Sequence, residues 1–225
     1  FPPPCLLTKA SLEVYPHGFR TVCETIRDDD REQPEHLKDV NRGTVEGFSN
    51  KSASRLRHFM MTNHVEGFTP YAVTLTTQEV YDPEQWESIV KRFRTTLARK
   101  HPEWAACWRV ELQKRKTPHL HCVFWLPDSP KDYEVKLVLT KLWIKATKED
   151  SVDVWKYSVH VRDLTGASAW MIYCTLHDSK HKKEQLGWKG RQWGIWNRNA
   201  WQERKPTTAQ EFKRPERVQF VRRLR

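Results

Sequence analysis

The residues whose types and spacing are best suited to chemistry lie in two short runs, Arg109-Val110-Glu111-Leu112-Gln113 and Pro118-His119-Leu120-His121. Residues two apart on a strand share a face, so His119 and His121 project together, as do Arg109, Glu111 and Gln113. The linker between the runs is short enough for a hairpin. A register that sets Glu111 opposite His121 and Gln113 opposite His119 brings four side chains onto one patch. Two imidazole nitrogens and a carboxylate suit a divalent cation and leave coordination positions open for water or substrate oxygens. Magnesium is held mostly through carboxylates and phosphates, whereas histidines pull toward manganese or zinc. The same ligand set serves non-haem iron oxygenases, so ligand type alone does not choose the reaction. The plainer alternative is two polar residues on a wet sheet face.

A second candidate is Trp170-Met171-Ile172-Tyr173-Cys174-Thr175-Leu176-His177, followed by Asp178-Ser179-Lys180-His181-Lys182-Lys183. On a helix Tyr173 and His177 lie one turn apart, with Trp170 on the same side. A phenol with a pKa near 10 is a poor nucleophile. It becomes able to attack a phosphodiester when cations favour the phenolate and the developing phosphorane charge. Lys180 and Lys182 are candidate phosphate clamps. The alternative for Tyr173 is a core aromatic with its hydroxyl bonded.

These side chains need a frame. Tyr71–Thr77 is β-branched and aromatic, with Tyr71, Val73 and Leu75 on one face, and predicts a strand. Asp82-Pro83 is a helix start, and Trp86, Ile89, Val90, Phe93 and Leu97 follow at helical spacing. Trp104–Gln113 and His119–Leu126 alternate as two strands around the turn at Lys114–Pro118. Residues 131 to 147 predict a second helix, Val152–Val161 a strand and residues 165 to 178 a third helix. Arg191–Trp196 adds a short edge strand. The fold class expected is α+β: an antiparallel sheet with a β-α-β-β-α-β core, ferredoxin-like or RRM-like, backed by helices on one face. The other face is then left for a site. Residues 1 to 60 read as a partly ordered extension with one short helix, 61 to 200 as the principal domain and 201 to 225 as a basic tail.

Charge is unevenly placed in this chain of 225 residues with a net +11. Residues 1 to 60 hold 9 basic and 9 acidic side chains, 61 to 179 hold 16 and 15, and 180 to 225 hold 14 and 4. A cationic segment carrying Trp188, Trp193, Trp196 and Trp201 suits phosphates and stacked bases; the alternative is a solvated tail whose tryptophans pack on the domain. No run of about 18 apolar residues occurs, so no helical membrane span is expected. The 5 cysteines are widely spaced with no C-x-x-C pair, which fits free thiols in a reducing compartment. No G-x-x-x-x-G-K-[ST] loop is present, so no ATPase motor of that type is expected.

These motifs, in this order, resemble those of rolling-circle replication initiators of the HUH endonuclease superfamily, the replication-associated proteins of bacterial plasmids and phages. The first motif of that family is similar to Phe68–Thr76. The second, histidine-apolar-histidine after a strand with an acidic ligand, is similar to Trp108–Glu111 and Pro118–Trp125. Gly190-Arg191-Gln192-Trp193-Gly194 also resembles a recurrent feature. The resemblance covers about residues 68 to 197 and implies the HUH endonuclease fold. It further implies metal-dependent nicking and joining of single-stranded DNA at a replication origin through a 5′-phosphotyrosine. Glu111, His119 and His121 would then hold Mg²⁺ or Mn²⁺, Tyr173 would attack, and Lys182, Lys183, Arg191 and Trp193 would meet DNA. A host helicase and polymerase are the partners implied, no membrane is involved, and the location implied is the cytoplasm of a bacterial host.

The third motif departs from the family pattern of tyrosine, two residues, lysine and often a second tyrosine. One frame puts Trp170 at the first tyrosine and Tyr173 at the lysine. The other makes Tyr173 the first tyrosine, with Leu176 at the lysine position. Tyr173 is preferred because Tyr157, the tyrosine before it, sits in a strand pattern. A single nucleophile follows, with His177 or Lys180 taking the lysine's part. Competing readings are a transposase or relaxase of the same superfamily, a non-catalytic single-stranded nucleic-acid-binding domain and a metal-dependent oxygenase.

Overall fold

The computed structural model describes residues 7–15, 18–25, 48–113, 117–164, 191–203 and 205–212. In chain order the first elements are β1 (Leu7–Tyr15), β2 (Gly18–Thr25), α1 (Asn50–Thr62), β3 (Asn63–His64), β4 (Thr69–Thr76) and α2 (Pro83–Lys100). There follow β5 (Ala105–Leu112), β6 (Pro118–Leu126), α3 (Asp132–Thr147), α4 (Val152–Tyr157), β7 (Val159–Asp163), β8 (Trp193–Trp196), β9 (Gln202–Glu203) and β10 (Thr208–Phe212). The chain divides into two compact units, Phe1–Gly43 with Arg204–Arg225, and Thr44–Glu203.

The smaller unit is a three-stranded antiparallel sheet in the order β10-β1-β2. Sequence periodicity did not find these strands. The Glu13 carboxylate joins them locally, paired with Arg20 at 2.8 Å and accepting from the Tyr15 hydroxyl at 2.9 Å.

The larger unit is built on a five-stranded antiparallel sheet in the order β7-β4-β6-β5-β8. Counting only the expected core, its four strands stand in the spatial order fourth, first, third, second, the arrangement of a split β-α-β. β8 extends the β5 edge. Asp82 and Gln85 form a reciprocal capping box at the start of α2, with Pro83 at the first helical position. Trp86, Ile89, Phe93 and Leu97 of α2 and Leu139, Leu142 and Trp143 of α3 bury one sheet face, against Val73, Leu75, Val110, Leu120 and Phe124. Trp143 pins this layer: its ring meets Phe93 edge-on at 5.3 Å and its Nε1 donates to the Thr76 carbonyl at 2.6 Å.

Two expectations need correction. Val152–Val161 is not one strand: Ser151 accepts from the Val154 N–H through its hydroxyl and starts α4, and pairing begins only at Val159. A serine cap outweighs the strand-like alternation of Val152 and Val154, and on α4 the two valines part, Val154 buried and Val152 exposed. Helices also do not lie on one face alone. Ala53, Leu56 and Met60 of α1, with Phe48, cover Ala105, Cys107, Val123 and Trp125 on the second face. That cover lies at one end of β5 and β6. Glu111, His119 and His121 project from the same face at the other end, where they are half-buried.

Candidate metal centre

Glu111 Oε2 lies 2.8 Å from His121 Nε2 and 3.8 Å from His119 Nε2. The two imidazoles meet edge-on with centroids 4.4 Å apart. One ligand atom from each of the three residues falls within 4.8 Å of the others.

The register that achieves this differs from the expected one by two residues. Glu111 stands opposite His119, and Arg109 opposite His121. The hairpin is closed by the Gln113 N–H donating to the Thr117 carbonyl at 2.9 Å, which fixes the tighter pairing. A shift of two keeps every side chain on its face, so the patch survives the change.

β4 completes it. Thr74 pairs with His121 and Thr76 with His119. Thr74 Oγ1 lies 3.4 Å from His121 Nδ1, and Gln113 Nε2 lies 2.9 Å from His119 Nδ1. Each imidazole thus turns one nitrogen to a polar partner and the other toward Glu111, the arrangement that orients metal-ligating histidines.

The electrostatics favour a charged carboxylate beside a neutral imidazole. Burial alone would raise the Glu111 carboxyl. The His119 contact, the His121 hydrogen bond and the Arg109 charge outweigh it, and hold Glu111 well below the usual carboxylate range. Burial pushes His121 below its ordinary value, against the pull of Glu111. Both shifts leave the groups in the protonation states that bind metal. His119 Nε2 is buried with no hydrogen-bond partner, a ring nitrogen left for a cation to satisfy. The donor set therefore fits a divalent ion.

Sequence reasoning placed Arg109 on this face but gave it no role. Its side chain is 0% exposed, with the guanidinium 4.3 Å from the Phe48 ring centroid. Its charge helps keep Glu111 ionised. Thr74 and Thr76 were also missed as partners of the histidines, although a T-x-T facing an H-x-H was the available signal.

The other anticipated site residues are placed unevenly. Tyr173, His177, Lys180, Lys182 and Lys183 lie outside the described residues. Arg191 is exposed, and the Gln192 carbonyl beside it accepts from the Val110 N–H at 2.9 Å. Trp193 stands opposite Arg109 and is half-buried, its Nε1 donating to Ser52 Oγ at 3.1 Å. Trp196 is buried in the α2–α3 layer, and Trp201 packs on Phe59 and Trp125 at 4.8 and 4.7 Å. These two rings serve packing, as the second reading of the tail had it. Among the described residues, no helix is long and apolar enough to cross a membrane.

A half-buried Glu-His-His set on the central strands of an antiparallel α+β sheet defines a class of candidate metal-dependent proteins. The family model for replication-associated protein ORF2/G2P matches residues 70–182, a span that runs from Pro70 in β4 past the end of β7 and holds the whole Glu-His-His set. The chain belongs to that family. It is 27% identical over 171 residues to a protein named as a replication protein from Xylella fastidiosa strain 9a5c, covering 71% of this chain and 58% of the relative. It is 27% identical over 148 residues to replication-associated protein G2P of Pseudomonas phage Pf3, covering 62% and 50%. A replication protein by name from Xylella fastidiosa strain Temecula1 is 24% identical over 172 residues, covering 68% and 61%. The chain thus spans between half and about three fifths of the length of these relatives. No solved structure gives a significant match.

Proposed function

We propose that this protein initiates rolling-circle replication by nicking and rejoining single-stranded DNA at an origin, with the HUH type of site. The observation that carries the reading is the convergence of Glu111, His119 and His121 within a segment matched by a replication-associated family. These three residues would hold Mg²⁺ or Mn²⁺. A bound divalent cation supplies charge that offsets negative charge on the oxygens of the scissile phosphate.

Tyr173 supplies the nucleophile. Its oxygen forms a bond to the scissile phosphorus as the bond to the 3′ oxygen breaks. The phenolic proton is lost to a base, and the departing 3′ oxygen is protonated. The products are a 5′-phosphotyrosine and a free 3′-OH that a host polymerase extends. Attack by a 3′-OH on the phosphotyrosine reverses the sequence and joins the strand. His177 or Lys180 handles charge at the tyrosine, while Lys182, Lys183, Arg191 and Trp193 contact DNA. A host helicase unwinds the duplex, in the bacterial cytoplasm.

The test is incubation with end-labelled single-stranded origin oligonucleotides and Mn²⁺ beside EDTA, read on denaturing gels for cleavage and covalent adduct. Tyr173→Phe and Tyr157→Phe are both required. Tyr157 closes helix α4 and is 71% exposed, so a strand position no longer argues against it. A metal-dependent adduct lost only with Tyr173→Phe supports the assignment. Loss only with Tyr157→Phe moves the nucleophile, and tight binding without adduct by the folded protein leaves a DNA-binding module. Preference for hairpin substrates over origin strands would favour the transposase or relaxase reading.

A further inference from the structure

We propose that Gln113 is a positioning residue that orients the His119 ring and, with its amide oxygen turned to Nδ1, accepts that nitrogen's hydrogen bond and so leaves Nε2 available to a cation. The inference rests on the metal-centre reading above and extends it to a residue outside the ligand set.

The geometry is local and well anchored. Gln113 Nε2 lies 2.9 Å from His119 Nδ1 and 3.4 Å from Thr76 Oγ1, so the amide bridges β5, β6 and β4 at the row containing His119. Gln113 is tied at its backbone, its N–H donating to the Thr117 carbonyl at 2.9 Å. Thr76 is fixed twice: its N–H donates to the Ser158 carbonyl at 2.8 Å, and its carbonyl accepts from Trp143 Nε1 at 2.6 Å. His119 Nε2, at the far side of the ring, is buried without a hydrogen-bond partner.

A cation takes the unprotonated nitrogen. For Nε2 to ligate, Nδ1 must carry the hydrogen and donate it. An amide is suited to this because it carries a donor and an acceptor on one planar end. Turning it by half a revolution exchanges NH₂ for C=O with almost no other movement. With NH₂ toward the ring, Gln113 donates to a bare Nδ1 and favours hydrogen on Nε2. With Oε1 toward the ring, it accepts from Nδ1 and frees Nε2. Gln113 therefore accommodates both states and orients the ring in each. A glutamate at the same position would offer only the accepting face, and a leucine neither.

The experiment uses the full chain, Mn²⁺ alone as probe, and the variants Gln113→Leu, Gln113→Glu and Glu111→Gln. Binding is read from the EPR signal of free Mn²⁺, folding from circular dichroism, and the His119 tautomer from long-range ¹H–¹⁵N spectra of metal-free and Mg²⁺-loaded protein. Gln113→Leu should bind Mn²⁺ about 10–100-fold more weakly. Gln113→Glu should restore binding and place hydrogen on Nδ1 before metal is added. A folded Gln113→Leu that binds as the parent does, while Glu111→Gln does not bind, overturns the role of Gln113 and leaves the metal centre standing. If Gln113→Leu fails to fold, Gln113→Glu decides: a bare Nδ1 in that variant overturns the proposal. Absence of Mn²⁺ binding by the folded parent overturns the metal centre and this inference with it.

Discussion

Glu111 stands directly across the sheet from His119 yet places its carboxylate oxygen 2.8 Å from His121 Nε2, against 3.8 Å from the Nε2 of its own cross-strand partner.

 The diagonal reach leaves His119 Nε2 facing the carboxylate at ion-pair distance, so the three donors surround a common point instead of closing a two-residue pair. Glu111→Gln keeps the shape and removes the charge. Mn²⁺ affinity should fall by at least about tenfold, about 1.4 kcal/mol. His119→Ala and His121→Ala should each fall by a similar factor. Titration calorimetry checks this, and unchanged affinity in Glu111→Gln would remove the carboxylate from the ligand set.

Arg109 shares that face but plays a different part. A guanidinium at 0% exposure, resting on the Phe48 ring at 4.3 Å, is positioned by packing and cannot contact DNA directly. Removing it takes a buried charge from beside Glu111 and leaves a cavity. Arg109→Ala should cost about 3–5 kcal/mol in urea unfolding of the metal-free protein. Phe48→Leu, which keeps most of the apolar volume, should cost about 1 kcal/mol through the lost cation–π contact. Parent-like stability in Arg109→Ala would show that the buried charge contributes nothing to the fold.

The shifts at His121 and Glu111 give stability a definite sign with pH. Burial keeps folded His121 neutral below its ordinary value of 6.5, so the unfolded chain takes up that proton first as pH falls. Glu111, depressed in the fold, behaves likewise below its ordinary 4.5. In both windows the unfolded state binds more protons, so stability drops as pH drops. Urea midpoints of the metal-free protein should begin to fall below about pH 6.5 and fall further below about pH 4.5. His121→Asn should flatten the upper limb. The same upper limb in that variant would assign the effect to another group.

Much of this was readable before the structure because the site lies on regular strands. Period-two alternation placed Glu111, His119 and His121 on one face whichever of two registers was chosen, so the error in pairing left the patch intact. The start of α2 was explicit in Asp82-Pro83. Other features were not local. Nothing near Asn50 announces that α1 covers the Cys107 and Val123 end of the sheet, because that depends on contacts between residues far apart in the chain. Arg109 reads as a surface cation until Phe48 is found over its guanidinium. The Val152–Tyr157 turn of helix was hidden by two valines at strand spacing, with one serine hydroxyl deciding the matter.

Gly194 offers a test of the sheet edge that does not involve metal. It pairs with Trp108, and a Cβ there would lie 2.7 Å from Trp108 Cζ2 and 2.9 Å from Cε2. That indole stacks near Trp196 with centroids 5.9 Å apart, so it has little room to retreat, and β8 itself must shift. Gly194→Ala should therefore destabilise by about 1–3 kcal/mol and alter tryptophan fluorescence. Gly67→Ala supplies the contrast. Its φ of +74° sits in the left-handed region, with nothing within 4 Å of a Cβ, so its cost is conformational. Asparagine, which tolerates that region, should recover stability at 67 relative to alanine and lose more at 194, where size is the problem. Thermal melts of the four variants separate the two causes. Equal behaviour of asparagine at both positions would show that the close approach of Trp108 does not limit β8.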